Sequence, residues 1–223
     1  AQSWESLIGN EPDQYDWPVL DENSAAFLCY TSGTTGNPKG VVYSHRSTVL
    51  HAMAASLPSA FGLDAFDCIM PCSSFYHATG WGLPFAGALN GCAFALPCDR
   101  MDAESLHELV IQEGVTFTGG VPTIWTMFLD YLDRTGKSTG SLQRIIIGGS
   151  AVPVAMAETF IRKYGVKILQ IWGMTELNPV GVVATPTPAI ARMGADHVDE
   201  IIWSRQGRMQ FGVELMITDE QGN

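Results

Sequence analysis

Short apolar runs alternate along the chain with longer stretches in which apolar residues recur every three or four positions. Continuous apolar runs of a few residues are typical of strands that are buried on both faces of a sheet. We expect 25–31 to be buried in this way, because its apolar residues do not alternate with polar ones. The runs predict strands at 25–31, 41–43, 68–71, 92–96, 115–117, 144–147 and 167–171.

The segments between these strands carry helical signals. Ser44 is suited to cap a helix that runs to about Ala60, and Asp102 is suited to cap a second one. Pro122 fits the first turn of a third helix, and Pro153 opens a fourth. The apolar faces predicted for the last three helices consist of Leu106, Leu109, Val110, Trp125, Phe128, Leu129, Leu132, Met156, Ala157, Phe160, Ile161 and Tyr164.

Alternation of strands and helices predicts the fold class. It favours an α/β fold with a mostly parallel sheet and helices on both faces, in which ligands lie at the carboxyl ends of strands. We expect an acidic lead-in at 1–24 and the α/β unit at 25–178. Residues 179–223 are richer in strand-like segments, which predicts the start of a barrel-like, β-rich subdomain. The strand-like 213–217 leads into a turn with no returning strand, so we expect a truncated chain.

The charge distribution narrows the function classes. The 223 residues include 12 Lys and Arg against 23 Asp and Glu, a net charge of −11, and no basic residue precedes Lys39. A nucleic-acid-binding surface needs clustered Lys and Arg, so we expect no nucleic-acid partner. The longest uncharged run, 68–98, is interrupted by prolines and polar residues, so we expect no stable membrane insertion. The cysteines show no metal-binding spacing, which favours reduced thiols and a cytoplasmic location.

The loop after the first predicted strand has the composition of a phosphate-binding loop. Residues 31–40 are Thr-Ser-Gly-Thr-Thr-Gly-Asn-Pro-Lys-Gly. Glycines let backbone N–H groups approach an anion, hydroxyls donate to its oxygens, and Lys39 adds positive charge. Pro38 before the lysine and Gly40 after it exclude a Walker A motif, which argues against a Walker-type NTPase. An ordinary glycine-rich connection is the alternative.

The literal sequence is more specific than its composition. Residues 30–40, followed by Val41-Val42 and Ser44-His45, resemble the AMP-binding signature of the adenylate-forming superfamily, which includes acyl-CoA synthetases, peptide-synthetase adenylation domains and beetle luciferases. The motif sequences are most similar to those of fatty-acyl-CoA synthetases, notably the medium-chain type. Further segments that resemble motifs of this family, in family order, are 74–82, 148–153, 170–176 and 206–214.

The resemblance implies roles for individual residues. It implies that Glu176 holds Mg²⁺ and acts in catalysis with Thr175 and His77. The acyl-pocket wall would contain Trp81, Gly82 and Val121. The residues implied to bind the ATP phosphates are Thr31, Ser32, Gly33, Thr34, Thr35, Gly36 and Lys39. Those implied to contact the nucleotide are Gly149, Ser150, Ala151, Trp172, Gly173 and Met174, with Trp172 standing where many family members have tyrosine.

The reaction implied by the resemblance has two halves. ATP and a fatty acid or related carboxylate form an acyl-adenylate and pyrophosphate, and CoA then gives acyl-CoA with release of AMP. The resemblance places the chain in the central part of the large N-terminal domain and allows a homodimer of the intact enzyme. The family's ribose-binding aspartate and its C-terminal domain with the catalytic lysine have no counterpart here, so we expect these residues alone to be inactive.

Other functions stay open at this point. Within the family, the acid could be an aryl or short thioether acid, or the acceptor could be a carrier-protein thiol. From a different class, the chain could be a non-catalytic nucleotide-binding module. Without the resemblance, a lone histidine such as His77 is usually structural, and a solvated loop carboxylate is the favoured interpretation of Glu176.

Overall fold

The computed structural model describes residues 3–9, 11–31, 36–194, 198, 202, 205–219 and 221–222. Its strands are β1 (Ala25–Thr31), β2 (Lys39–Ser44), β3 (Cys68–Pro71), β4 (Ala93–Phe94), β5 (Phe117–Gly120), β6 (Arg144–Ile147), β7 (Lys167–Gly173), β8 (Val180–Val183) and β9 (Arg208–Met209). Its helices are α1 (Trp4–Ile8), α2 (His45–Ser56), α3 (Ala78–Trp81), α4 (Leu83–Asn90), α5 (Ala103–Gln112), α6 (Pro122–Thr135), α7 (Val154–Tyr164) and α8 (Pro188–Ala191). A 3₁₀ turn, Thr175–Leu177, follows β7.

Among the described residues, seven strands form one sheet in the order β4-β3-β5-β6-β7-β8-β9. The strands from β4 to β7 run parallel, and β8 and β9 are added antiparallel at the far edge. The register places Pro71, Gly119, Ile146 and Leu169 side by side. The loops after these strands therefore leave the sheet at the same edge. The predicted α/β fold with a mostly parallel sheet is confirmed.

Helices cover both faces of this sheet. Ile145 and Ile147 of β6 belong to one core cluster, with α5, α6 and α7, whereas Ile146 belongs to another, with α2 and α4. Successive side chains of a strand point to opposite faces, so a strand covered on both sides needs an unbroken apolar run. The predicted helix faces are confirmed: of the residues given above, Leu109, Ile161 and Tyr164 are half-buried and the rest are buried.

The first apolar run forms a strand where predicted, but it is not a buried strand. β1 pairs with β2 as an antiparallel hairpin outside the large sheet. Cys29 is buried, whereas Leu28 and Tyr30 are 55% and 68% exposed. Phe27 packs on Phe85 of α4, with ring centroids 5.0 Å apart. The prediction of burial is wrong because an apolar run reports the composition of a strand and not which neighbours cover it.

The start of α2 is predicted correctly and its end is not. Ser44 accepts a hydrogen bond from the Ser47 N–H, and the Ser47 hydroxyl accepts one from the Ser44 N–H, which completes a capping box. The helix ends at Ser56 rather than near Ala60. Pro58 explains the early end, because the residue before a proline is disfavoured in the helical conformation.

The strand β5 begins at Phe117 and ends three residues beyond the predicted end of 115–117, because its glycines give little strand signal. It runs to Gly120, through a segment with little strand propensity. A Cβ on Gly119 would lie 2.4 Å from Ile146 Cγ1 of the neighbouring strand. The glycine is therefore required by cross-strand packing, which the sequence of the strand itself does not reveal.

The C-terminal part also differs from expectation. β8 and β9 join the large sheet, and the 213–217 segment is not a strand. Met216 and Ile217 are 80% and 89% exposed. Strand character needs a hydrogen-bonded partner, and none of the described residues supplies one there. The division into units at 1–24, 25–178 and 179–223 stays a prediction. Of the helices described, none has the length and apolar content required to cross a bilayer.

A buried ion pair joins the amino ends of three parallel strands. Asp67, just before β3, accepts hydrogen bonds from Arg144 Nη2 at 2.5 and 2.6 Å and from the Thr116 hydroxyl at 2.6 Å. The side chains of Asp67 and Arg144 are 4% and 19% exposed. Removing one partner would leave the other charge uncompensated inside the protein, which is costly.

We therefore expect Asp67→Ala to lower the free energy of unfolding by about 3 kcal/mol, because Arg144 then stays buried without its counter-charge. Urea denaturation measures this. The matched control is Asp133→Ala, which removes an exposed carboxylate paired with Lys163 and should cost less than about 1 kcal/mol. Equal losses in the two variants would contradict the importance of the buried pair.

A buried histidine connects α2 to the start of β8. His51 is 8% exposed, and its Nε2 accepts a hydrogen bond from the Val180 N–H at 3.1 Å. Burial lowers the pKa of His51 from 6.5 to about 4. The folded state therefore favours the neutral ring, and protonation favours unfolding. This contribution to stability is complete above about pH 6.5 and is lost as the pH falls toward about 4.

The comparison with His51→Gln isolates this contribution, because glutamine does not titrate. Between about pH 7.5 and about pH 5, we expect the unfolding free energy of the unchanged protein to fall on the order of 2 kcal/mol more than that of the variant. Denaturation curves of both proteins at the two pH values provide the measurement. A difference between the proteins that does not change with pH would show that His51 does not titrate in this range.

Candidate functional site

A large cavity opens at the carboxyl edge of the parallel strands. Its volume is about 920 Å³. The residues that line it follow β1, β3, β5, β6 and β7 and precede β2 and β8. This is the edge where α/β folds bind ligands, because the loops after parallel strands meet there. The position of the cavity therefore agrees with the sheet topology.

Most of the described residues that the sequence singled out lie around this cavity. Those that line it are Thr31, Gly36, Lys39, His77, Trp81, Val121, Gly149, Gly173, Met174, Thr175 and Glu176. Gly82, Ser150, Ala151 and Trp172 do not line it. Ser32, Gly33, Thr34 and Thr35 lie outside the described residues. The roles predicted for all of these residues stay predictions.

The hairpin of β1 and β2 brings the ends of the candidate phosphate loop together. Thr31 pairs with Lys39 across the ladder, and the Thr31 hydroxyl donates to the Lys39 carbonyl at 3.5 Å. Lys39 is thus the first residue of β2, at the mouth of the loop, and its side chain is exposed. This placement makes the lysine available to an anion bound between the loop and the cavity.

The turn after β3 has an unusual backbone. Residues 78–82 all have positive φ, with values of 43° at Ala78, 48° at Thr79 and 60° at Trp81. Left-handed conformation costs non-glycine residues about 1–2 kcal/mol each, so this segment is held by its surroundings. At Gly82, a Cβ would lie 2.6 Å from His51 Cε1, so a side chain has no space. The buried Gly82 thus lies against His51, and Trp81 lines the cavity.

The loop after β6 reaches the cavity through its backbone. Gly149 has φ +81°, and a Cβ there would lie 3.2 Å from Val121 Cγ1. Gly149 and Val121 both line the cavity, whereas the exposed side chains of Ser150 and Ala151 lie away from it. The close approach of two loops explains why glycine stands at this position.

The segment after β7 forms a closed loop that carries two of the predicted catalytic residues. The Met174 N–H donates to the Pro179 carbonyl at 3.0 Å, and a Cβ on Gly173 would lie 2.2 Å from that oxygen. Only glycine allows this approach. Thr175 and the exposed Glu176 lie on the 3₁₀ turn inside the loop and line the cavity.

Trp172 is not among the residues that line the cavity, and its nucleotide contact stays a prediction. It is 38% exposed, and its ring lies 3.3 Å from the place of a Cβ on Gly181. Its neighbour Ile171 lines the cavity instead. Alternation along β7 places the two side chains on opposite faces, so only one of them can reach the cavity wall from the strand.

Several lining residues were not identified from the sequence. They are Asn37, Cys72, Ser73, Ser74, Tyr76, Ala78, Ile171, Pro179 and Val180. All lie within five residues of a predicted site residue, so proximity to the motifs was the available signal. Burial raises the pKa of the Cys72 thiol to about 12, which keeps it protonated as a neutral wall residue. The Ser73 hydroxyl oxygen is buried and has no hydrogen-bond partner among the described residues.

The described residues that line the cavity include Lys39 and Glu176, which have opposite formal charges. The described residues contain no group of three side chains arranged to hold a metal by themselves. Mg²⁺ is commonly held by one or two carboxylates together with substrate phosphates and water. A lone carboxylate in the same cavity as Lys39 therefore fits a magnesium ion that arrives with a nucleotide.

Comparison with known proteins supplies the family. The model of the AMP-binding enzyme family matches residues 2–223. The medium-chain-fatty-acid–CoA ligase of Ectopseudomonas oleovorans is 44% identical over 99% of the chain, which spans 40% of that protein. The 3-methylmercaptopropionyl-CoA ligase of Ruegeria lacuscaerulensis is 42% identical over 99% of the chain, which spans 41% of that protein.

A solved structure agrees with the fold. The structure of an anthranilate CoA ligase in complex with anthranoyl-AMP superposes with a TM-score of 0.80 over 99% of the chain, at 21% identity, and the chain spans 40% of that protein. The chain thus spans about 40% of the length of the two ligases named above. Because the family model matches nearly the whole length of this chain, the chain belongs to the family of AMP-binding enzymes.

Proposed function

We propose that the chain is the nucleotide- and acid-binding part of an ATP-dependent acid–CoA ligase that acts on fatty acids. One observation carries the proposal. Lys39 of the glycine-rich hairpin, the Thr175–Glu176 turn and a largely apolar wall line the same cavity. An adenylating enzyme needs such an arrangement, because it must bind a polyanion and an apolar acid in contact with each other.

The charged residues of the cavity are suited to the phosphates. Lys39 and the backbone of the loop would bind the terminal phosphates of ATP, and the Thr175 hydroxyl would donate to the α-phosphate. Glu176 would hold Mg²⁺. When bound, the ion would neutralise negative charge on the phosphate oxygens. Gly149 and Gly173 would allow the nucleotide to approach the backbone of the two loops that carry them.

The acid would bind on the apolar side of the cavity. Trp81, Val121 and Val180 offer apolar surface for an acyl chain, and His77 lines the same cavity. His77 would orient the carboxylate by a hydrogen bond. The role of these side chains is to hold a carboxylate oxygen in line with the α-phosphorus and to exclude water from it.

The chemistry balances without a covalent enzyme intermediate. A carboxylate oxygen forms a bond to the α-phosphorus while the bond to the bridging oxygen of pyrophosphate breaks, which gives acyl-AMP and pyrophosphate. The thiol of CoA then forms a bond to the acyl carbon, AMP leaves with its phosphate oxygen, and the thiol proton passes to solvent. We assign the reaction to the cytoplasm, where free cysteines such as those of this chain stay reduced.

A second substrate class has specific support. The Ruegeria relative acts on a thioether acid and is nearly as similar to this chain as the fatty-acid ligase. A thioether differs from a methylene chiefly in its polarisable sulfur, so one apolar wall can accept both acids. We place medium-chain fatty acids first, because the cavity has a volume of about 920 Å³ and its lining includes apolar side chains.

We expect Glu176→Gln to lower the rate of adenylate formation about a hundredfold, because the amide can no longer bind the cation that neutralises the phosphates. Release of pyrophosphate in the complete gene product provides the measurement. The matched control is Glu158→Gln on α7, which lies outside the cavity and should change the rate less than about twofold. Equal rates in the two variants would remove Glu176 from the proposed mechanism.

The choice of acid is tested with a panel of carboxylates supplied to the complete gene product with ATP, Mg²⁺ and CoA. The panel contains fatty acids of increasing length, a methylthio-substituted short acid and an aryl acid. We expect the largest kcat/KM for acyl-CoA formation with a medium-chain fatty acid. A preference for the thioether acid would select the second substrate class, and pyrophosphate release without acyl-CoA would indicate an acceptor other than CoA.

A further inference from the structure

Three polar side chains, each four residues from the next, bind the loop that carries Thr175 and Glu176. The Tyr43 hydroxyl donates to the Thr175 carbonyl at 2.5 Å. The Ser47 hydroxyl donates to Asn178 Oδ1 at 2.8 Å. The Val180 N–H donates to His51 Nε2 at 3.1 Å. We call these three residues, Tyr43, Ser47 and His51, the positioning row.

The spacing of the row follows from the local structure. Tyr43 is the last residue of β2 before the helix cap, and Ser47 and His51 lie one turn apart on α2. Residues four apart on a helix lie on one face. The row therefore presents three contacts in a line to the 175–180 segment, at its beginning, near its middle and at its end.

The outer members of the row are buried and keep one protonation state. Tyr43 is 2% exposed, and burial, followed by the nearby Cys29 thiol and Glu176 carboxylate, raises the pKa of its phenol. Tyr43 therefore stays a hydrogen-bond donor. Because the Val180 N–H donates to His51 Nε2, a neutral His51 carries its proton on Nδ1. His51 also lies against Gly82, beside the lining residue Trp81.

The row connects elements that must act together. β2 begins at Lys39, at the mouth of the candidate phosphate loop, and Tyr43 lies four residues further along the same strand. The segment that the row binds supplies Thr175, Glu176 and Val180 to the cavity. The lysine thus lies on the strand that carries Tyr43, and the glutamate lies in the loop that the row contacts.

We propose that Tyr43, Ser47 and His51 are positioning residues that hold the 175–180 loop in a fixed position relative to the strand that begins at Lys39. This inference rests on the proposed function and adds to it residues that do not line the cavity. A shift of the loop would move Thr175 and Glu176 relative to the phosphates bound at Lys39. Such a shift lowers the rate of the chemical step more than it weakens the binding of the acid.

The experiment pairs each variant of the row with a control elsewhere in the chain. Tyr43→Phe removes only a hydroxyl, and Tyr131→Phe is its control, because Tyr131 is also buried but bonds to Lys137 away from the cavity. His51→Leu removes the acceptor, and His107→Leu is its control, because His107 is equally buried and contacts the Ser138 carbonyl. His51→Gln serves as the rescue variant, since its amide oxygen can accept from the Val180 N–H.

We expect Tyr43→Phe and His51→Leu to lower kcat for adenylate formation in the complete gene product about tenfold, with the KM for the acid changed less than about threefold. The control variants should change kcat less than about twofold at a similar loss of thermal stability. His51→Gln should recover most of the activity lost in His51→Leu. If row and control variants lose activity in proportion to their loss of stability, the row is only structural and the proposal is overturned.

Amide hydrogen exchange separates this inference from the proposed function. We expect His51→Leu, and not His107→Leu, to accelerate exchange within 175–180, including the Val180 amide. If the unchanged protein forms no adenylate with any acid, the proposed function fails, and exchange alone decides whether the row holds the loop. If exchange in the segment is unchanged, the row does not hold it and the inference fails, whatever the activity.

Discussion

Burial of the parallel strands on both faces is the constraint from which the rest of the structure follows. β6 shows it most clearly, because Ile146 faces one helical layer while Ile145 and Ile147 face the other. A strand with two apolar faces has no position for a reactive polar side chain. Polar chemistry is therefore confined to the ends of the strands, and the register aligns those ends at one edge. The cavity lies at that edge, where the loops after the parallel strands meet.

The sequence predicts the elements of this layered architecture well because local patterns determine them. Helix caps at Ser44 and Asp102 and the buried faces of α5, α6 and α7 depend on residues a few positions apart. The failures have long-range causes. β1 is apolar on both faces, but it pairs outside the large sheet and stays largely exposed. The end of β5 was predicted too early because Gly119 is required by Ile146, a residue of another strand.

The candidate site divides in the same way. The motifs located the loops, and the structure gathers most of their described residues around one cavity. The sequence could not give the direction of each side chain. The nucleotide contact of Trp172 stays a prediction, whereas its neighbour Ile171, which was not selected, lines the cavity. His51 and Tyr43 were not selected at all, because their partners lie 129 and 132 residues away along the chain. Contacts of this range are decided by packing, and no local pattern reports them.

The Asp67–Arg144 pair lies at the amino ends of β3 and β6, opposite the edge that bears the cavity. The charges that stabilise the sheet thus lie at the amino ends of the strands, and the charges suited to bind ligands lie at the carboxyl ends. Because of this separation, substitutions can change the stability of the sheet and the ligand site independently of each other. Substitutions at the amino ends of the strands adjust the stability of the scaffold, whereas substitutions at the carboxyl ends change the side chains that line the cavity. A family with this architecture can acquire new substrates without substitutions in its hydrophobic core, provided that the amino ends of the strands supply enough stability.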